Sequence, residues 1–187
     1  MVQRLRSQLS RAWAQGKLTH IAPYLPESGT ILDIGSGTGM VSAMLREQGY
    51  RVTSLDVRDR SINASLRPVL YDGDRVPFDN DSFDCALLLT VLHHTPDPEA
   101  VLREALRVSP RVIVIEDVYS NPVQKQLTYC TDSLFNLEFS GHPHSNRTDR
   151  EWLRTFSDLD VRVVGQSGRP VLLFYRQVAY SVVRRDG

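Results

Sequence analysis

The sequence predicts an α/β fold, a three-layer sandwich in which helices cover both faces of a mostly parallel sheet. Three observations predict it. From residue 30 to residue 118, short apolar segments alternate with segments of helical spacing. Phe83–Thr90 and Arg111–Ile115 are nearly unbroken apolar runs, the pattern of central strands buried on both faces. Near the end of the chain, two strand-like segments, 161–164 and 171–175, are joined by Gly165-Gln166-Ser167-Gly168-Arg169-Pro170, which reads as a hairpin connector. At 187 residues, 41% hydrophobic and 24% charged, the chain has the length and composition of one globular domain spanning 1–187.

Taken in order, residues 1–26 carry Arg4, Arg6, Arg11 and Lys17 and no acid, with Val2, Leu5, Leu9 and Trp13 at helical spacing. A transit peptide and a membrane-surface helix both fit this pattern. A helical cap packed on the domain fits better, because the apolar positions are few and mixed with Gln and Ser. Pro23 and Pro26 end the segment. Thr30–Ile34 is the first strand, Gly35-Ser36-Gly37-Thr38-Gly39 a turn, and Met40–Arg46 a helix. Tyr50–Asp56 is the second strand and Val69–Gly73 the third, separated by a polar stretch with room for two helical turns at most. After the fourth strand, Asp97 caps a helix with Pro98 at its first position and an apolar stripe of Val101, Leu102, Ala105, Leu106 and Val108. Arg111–Asp117 is the fifth strand. Residues 118–150 are irregular, with 123–137 read as helical and a loop holding His142 and His144, and they suit a lid over a substrate. Thr148 and Glu151 form a capping box for a last helix.

The glycine turn carries the chemistry. Glycines adopt positive φ and leave backbone bare for a ligand, and the helix behind them presents free N–H groups. A dinucleotide site wants G-x-G-x-x-G for a pyrophosphate. Here the third glycine comes one position early, Met40 fills the sixth place, and Asp33 sits just ahead of the turn. A carboxylate there repels phosphate and suits an ammonium group, so the fitting ligand is a nucleoside with an amino-acid tail. Asp56 follows the glycines by roughly the 20 residues expected of a ribose-binding carboxylate.

Several classes are disfavoured. Net charge is +0, which gives no field for nucleic acid. Cys85 and Cys130 make no disulfide framework or metal spacing, and a reducing cytoplasm is the simplest compartment. His142 and His144, an i, i+2 pair across a proline, have no recognisable ligand spacing, even with His93 and His94 added, so no metal is expected. No apolar run reaches membrane-spanning length. Contact with a membrane surface is compatible with the basic N-terminus but not required.

Thr30–Gly39 resembles motif I of the class I S-adenosylmethionine-dependent methyltransferases, and Asp72 to Asp84 resembles the family's D-x-x-x-x-P-F and S-F-D stretch, with Val91-Leu92-His93-His94 similar to its loop after strand four. The likeness is to the small-molecule type, of the kind that acts in ubiquinone and menaquinone biosynthesis. It implies a Rossmann-like α/β/α sandwich with a seven-stranded, mostly parallel sheet and a C-terminal antiparallel hairpin. It implies S-adenosyl-L-methionine as cofactor, held by Asp33, Gly35, Ser36, Gly37, Gly39, Asp56, Val57, Asp72, Gly73 and Thr90, with Asp74 as rival to Asp72 at the adenine. His94 would face the methyl group or substrate, as general base or as orienting hydrogen-bonder. Glu116 and His142 are further candidates to hold the substrate. The implied reaction is in-line methyl transfer to a small molecule, lipid- or quinone-like. Alternatives are a non-catalytic cofactor-binding protein or partner subunit, a nicotinamide-dependent dehydrogenase, and an aminopropyl transferase.

Overall fold

The computed structural model describes residues 2–119, 124, 146–171 and 175–185. Among the described residues the main elements follow in the order α1 (Val2–Ile21), β1 (Thr30–Ile34), α2 (Met40–Glu47), β2 (Arg51–Asp56), β3 (Val69–Leu70), β4 (Cys85–Leu89), α3 (Pro98–Val108), β5 (Arg111–Val118), α4 (Asp149–Asp158), β6 (Val161–Val171) and β7 (Tyr175–Arg184). The strands form one sheet in the order β3-β2-β1-β4-β5-β7-β6. The first five are parallel, and β7 runs antiparallel to both β5 and β6. This is the Rossmann-like sandwich with an antiparallel C-terminal end that the sequence predicts.

The two-residue period of the central strands sorts the core into two layers. Cys85, Leu87 and Leu89 of β4 join Ile31, Ile113, Ile115 and Ala179 under α1 and α2. Ala86 and Leu88 join Leu32, Ile34, Val112, Val114 and Tyr180, packed with α3 and α4. The helix starts follow local chemistry. The Asp97 carboxylate accepts from the Ala100 N–H at 2.9 Å and opens α3, and Thr148 with Glu151 forms the reciprocal box at the start of α4.

Three expectations change. The hairpin connector at 165–170 is strand: β6 runs to Val171, which pairs with Tyr175, with a register irregularity between Val163 and Gly165. Gly165 and Gly168 are there for close approach, because a Cβ at Gly165 would lie 2.5 Å from the Tyr24 ring and one at Gly168 would run into the Arg176 guanidinium. The N-terminal helix packs through Ala14, Leu18 and Ile21, whereas Leu9 and Trp13 of the predicted stripe are 64% and 47% exposed. The third strand shrinks to two residues, and 57–66 holds only a single 3-10 turn, Ala64–Leu66. The expected lid at 118–150, with its helix at 123–137 and His142, falls largely outside the described residues.

Candidate functional site

The loops after β1, β2, β3 and β4 all open at the carboxyl ends of neighbouring parallel strands, where open α/β sheets form their ligand crevice. After β1 the chain turns through Gly35 (φ 71°), Gly37 (φ 53°) and Gly39 (φ 75°). The turn is pinned to β2 by the N–H groups of Gly35 and Ser36, which donate to the Leu55 carbonyl at 2.8 and 3.1 Å. A side chain at Gly35 would run into Val91, and one at Gly39 into Leu66. At Gly37 the nearest atom to a Cβ would be 4.0 Å away, so that glycine borders open space.

Asp56, at the end of β2, accepts from the Gly37 N–H at 2.8 Å and the Arg58 N–H at 3.1 Å. One carboxylate thus ties the glycine turn to the loop after β2. Val57 beside it is 51% exposed. Asp33 lies beneath the turn, buried, and takes the Ser42 hydroxyl at 2.6 Å; Ser54 donates to Ser42 at 2.8 Å, and Arg46 to Ser54 at 3.1 Å. Burial pushes the Asp33 carboxyl above the ordinary carboxylate range, while the Ser42 hydrogen bond and the Lys17 charge pull the other way.

Asp72 and Asp74 are both exposed on the loop after β3. The Asp72 carboxylate accepts from the N–H groups of Asp74 (2.9 Å) and Arg75 (3.3 Å), which shape the turn around Gly73 and hold it below the usual range. The rest of that loop is clamped by α3. Glu104 accepts from the Val76 N–H at 2.9 Å, and Arg107 donates to the carbonyls of Val76 and Phe78, each at 2.8 Å.

At the end of β4, Thr90 holds φ 63°, a strained value for a β-branched residue and of the kind that gathers at functional sites. Its hydroxyl and the Leu89 carbonyl accept from the Lys17 ammonium at 2.7 and 2.8 Å. Burial pulls the Lys17 ammonium down, with Asp117, Asp33 and Glu116 acting against that. The next turn, Leu92–His94, hangs on Glu116. This buried carboxylate accepts from the N–H groups of Val91 (3.1 Å) and Leu92 (2.8 Å) and pairs with His93 Nδ1 at 2.5 Å. His93 is buried, and His94 lies partly exposed against it, with ring centroids 4.0 Å apart. Glu116 is therefore built into the loop that carries His94.

A model of the methyltransferase domain matches residues 5–162 of the chain. The chain belongs to the methyltransferase-domain family. The demethylmenaquinone methyltransferase of Clavibacter sepedonicus is 32% identical over 123 residues, 59% of this chain and 48% of that protein. The chain spans about a third to a half of the length of the curated relatives it matches. Among solved structures, the 1,6-didemethyltoxoflavin-N1-methyltransferase of Burkholderia thailandensis, bound to 1,6-didemethyltoxoflavin and S-adenosylhomocysteine, shares the fold with a TM-score of 0.73 at 19% identity, covering 96% of this chain and 81% of that one. The [4+2]-cyclase SpnF shares it as well, with a TM-score of 0.71 at 13% identity over 96% of this chain and 82% of that one.

Two features of this methyltransferase domain fit a nucleoside with an amino-acid tail. The Ser36 hydroxyl is buried in the turn with no partner, and the turn borders open space at Gly37. Among the described residues, no group of three or more His, Cys, Asp or Glu is placed to hold a metal, and no helix is long and apolar enough to cross a membrane. Lys17, Ser42 and the Glu104–Arg107 clamp were not legible as site residues. Lys17 gave one faint signal, as the only Lys or Arg between Arg11 and the glycine turn.

Proposed function

We propose that the chain binds S-adenosyl-L-methionine across the carboxyl ends of β1, β2, β3 and β4 and moves its methyl group to a small-molecule acceptor. The observation that carries this reading is the joint Asp56 makes between Gly37 and Arg58, which sets a ribose-sized carboxylate beside a bare glycine turn. A carboxylate keeps lone pairs for two ribose hydroxyls after those bonds. Asp72 serves the adenine amino group, between Val57 and Gly73. Asp33 favours the ammonium of the methionine tail, and Lys17, beside Thr90, meets its carboxylate. Gly35, Ser36 and Gly39 complete the cradle.

Bound there, S-adenosylmethionine supplies an electrophilic methyl group on a sulfonium sulfur, and in-line transfer leaves a neutral thioether. The chain's part is alignment and exclusion of water. His94, held by the Glu116–His93 pair, orients the acceptor and takes its proton where the nucleophile has one to lose. His142, a substrate candidate from the sequence, lies outside the described residues. The quinone-type relative and the basic, partly apolar α1 support a lipid- or quinone-like acceptor, and neutral net charge speaks against nucleic acid. The cytoplasm remains the expected compartment, with the Cys85 thiol free and buried.

A second reading, a cofactor-binding protein that transfers no methyl group, has one support: SpnF, named for a cyclisation, shares the fold. Calorimetric titration of wild type and Asp56→Ala with S-adenosylmethionine, S-adenosylhomocysteine and NAD tests the site. Binding of both sulfur compounds, weakened by about tenfold or more in the variant, is expected, since hydrogen bonds to a charged group are lost. Binding of NAD alone would overturn the reading in favour of a dehydrogenase. Turnover of the methyl donor with quinone-like acceptors, abolished or not by His94→Ala, separates the enzyme from the non-catalytic protein.

A further inference from the structure

Arg169 lies on β6, outside every motif and outside the cofactor crevice. It is nonetheless the hub of a polar chain that crosses the molecule. Its Nη1 donates to the Gly16 carbonyl of α1 at 2.6 Å. Its Nη2 and Nε donate to Gln177 Oε1 at 2.7 and 3.2 Å. Gln177, fully buried on β7, passes the chain on through Nε2 to Asp117 Oδ1 at 2.9 Å, at the carboxyl end of β5. The planar guanidinium thus works on two edges at once, one toward a helix backbone and one toward the sheet.

Gly16 explains how the helix comes so near. A glycine inside a helix costs about 1 kcal/mol relative to alanine. Here a Cβ would sit 3.2 Å from Arg169 Nη1, so a side chain would crowd the guanidinium. The next residue is Lys17, whose ammonium reaches the Leu89 carbonyl and the Thr90 hydroxyl at the end of β4. One turn on, His20 Nε2 lies 3.2 Å from the Ser167 carbonyl of the same hairpin. The stretch 16–20 is therefore held to the hairpin at both ends, with Lys17 between.

We propose that Arg169 is a positioning residue for the methyl-donor site: by holding the Gly16 carbonyl it sets the turn of α1 that presents Lys17 to the carboxylate of the donor's amino-acid tail. This rests on the donor reading above. The hairpin, separated from β1 and its glycine turn by β4 and β5 in the sheet, then tunes the affinity for the donor. Asp117 and Gln177 hold Arg169 itself in place. The effect falls on the tail, because Lys17 stands at the end of β4, while Asp56 and Asp72, the ribose and adenine groups, belong to the loops after β2 and β3.

That separation supplies the test. Calorimetry compares S-adenosylhomocysteine with 5′-methylthioadenosine, which has the nucleoside and no amino-acid tail, on wild type, Arg169→Met, Lys17→Met and the double variant. Arg169→Met is expected to weaken S-adenosylhomocysteine by about tenfold and to leave methylthioadenosine within about twofold. The double variant is expected to be no weaker than Lys17→Met alone, because the two residues act through one contact. Arg169→Lys serves if the Met variant does not fold. It keeps the charge but cannot bridge Gly16 and Gln177 together, and it is expected to show the same selective loss. Equal weakening of both ligands would mark Arg169 as a general brace and overturn the inference, as would full affinity in the Arg169 variants alongside loss in Lys17→Met. Failure of the wild type to bind either ligand would overturn the donor reading itself, and this inference with it.

Discussion

The carboxylates proposed to line the crevice also hold its loops, so a simple deletion at one of them removes two things. Asp72 is the clearest case, because its Oδ1 caps the turn at Asp74 and Arg75. Asparagine closes the same turn through its own Oδ1 but offers an amide N–H₂ where the carboxylate had a free acceptor. Asp72→Asn is therefore expected to keep its thermal midpoint while S-adenosylhomocysteine binds about tenfold more weakly by calorimetry. If Asp74→Asn shows that loss instead, the adenine contact belongs to Asp74. Glu116 presents the opposite balance. Its two oxygens serve Val91, Leu92 and His93 with no exposure to solvent. Glu116→Gln keeps the shape but sets an N–H₂ against a group that was donating, and urea titration is expected to show a loss of about 2 kcal/mol. An unchanged midpoint would show that the His94 turn stands without it.

At the scale of elements, α1 is the segment whose docking depends on pH. His20 is buried, with Arg169 facing it and the Ser167 carbonyl opposing; burial first, then the Arg169 charge, hold its ring below the ordinary histidine range. A histidine kept neutral in the fold contributes stability that is fully present above about pH 6.5 and declines as pH falls through that value toward the lowered one. Asp33 and Asp117, pushed up by burial, act in the opposite sense at acid pH, so a comparison variant is needed. Between about pH 7.5 and about pH 5.5 the thermal midpoint of wild type is expected to fall further than that of His20→Gln. Parallel falls would remove His20 as the cause. The same helix shows where the sequence was readable and where it was not. Asp97, the Thr148 box and the glycine turn were legible because each acts on backbone within a few residues of itself. The face α1 buries was not, since Ala14, Leu18 and Ile21 are chosen by the sheet beneath them while Leu9 and Trp13 keep helical spacing without that partner. Gly165 and Gly168 read as a turn because their reasons, Tyr24 and Arg176, lie elsewhere in the fold. Lys17 was hidden for the same cause: its partners are 72 and 73 residues away.

The whole molecule divides its labour across one sheet. One side, β3-β2-β1-β4, supplies the proposed crevice, and the other, β5-β7-β6, supplies Glu116, Asp117, Gln177 and Arg169, which hold the pieces that reach into it. Both sides meet at α1, so a ligand that engages the glycine turn, Asp56 and Lys17 together adds a polar brace to elements already packed through Ala14, Leu18, Ile21, Met40 and Met44. Binding to the folded state alone stabilises it by RT ln(1 + [L]/Kd), about 2.7 kcal/mol at a hundredfold excess over Kd. For a chain of 187 residues that corresponds to a rise of roughly 5–10 °C in thermal midpoint. S-adenosylhomocysteine is expected to produce that rise and NAD to produce none. Hydrogen exchange under the same conditions is expected to slow in the second half of α1, in the turn from Gly35 to Gly39 and in the loop after Asp56, and to change least along the outer edge of β6. Protection confined to the glycine turn, with α1 exchanging as before, would mean that the helix is a passive cover and that its lysine takes no part in holding the donor.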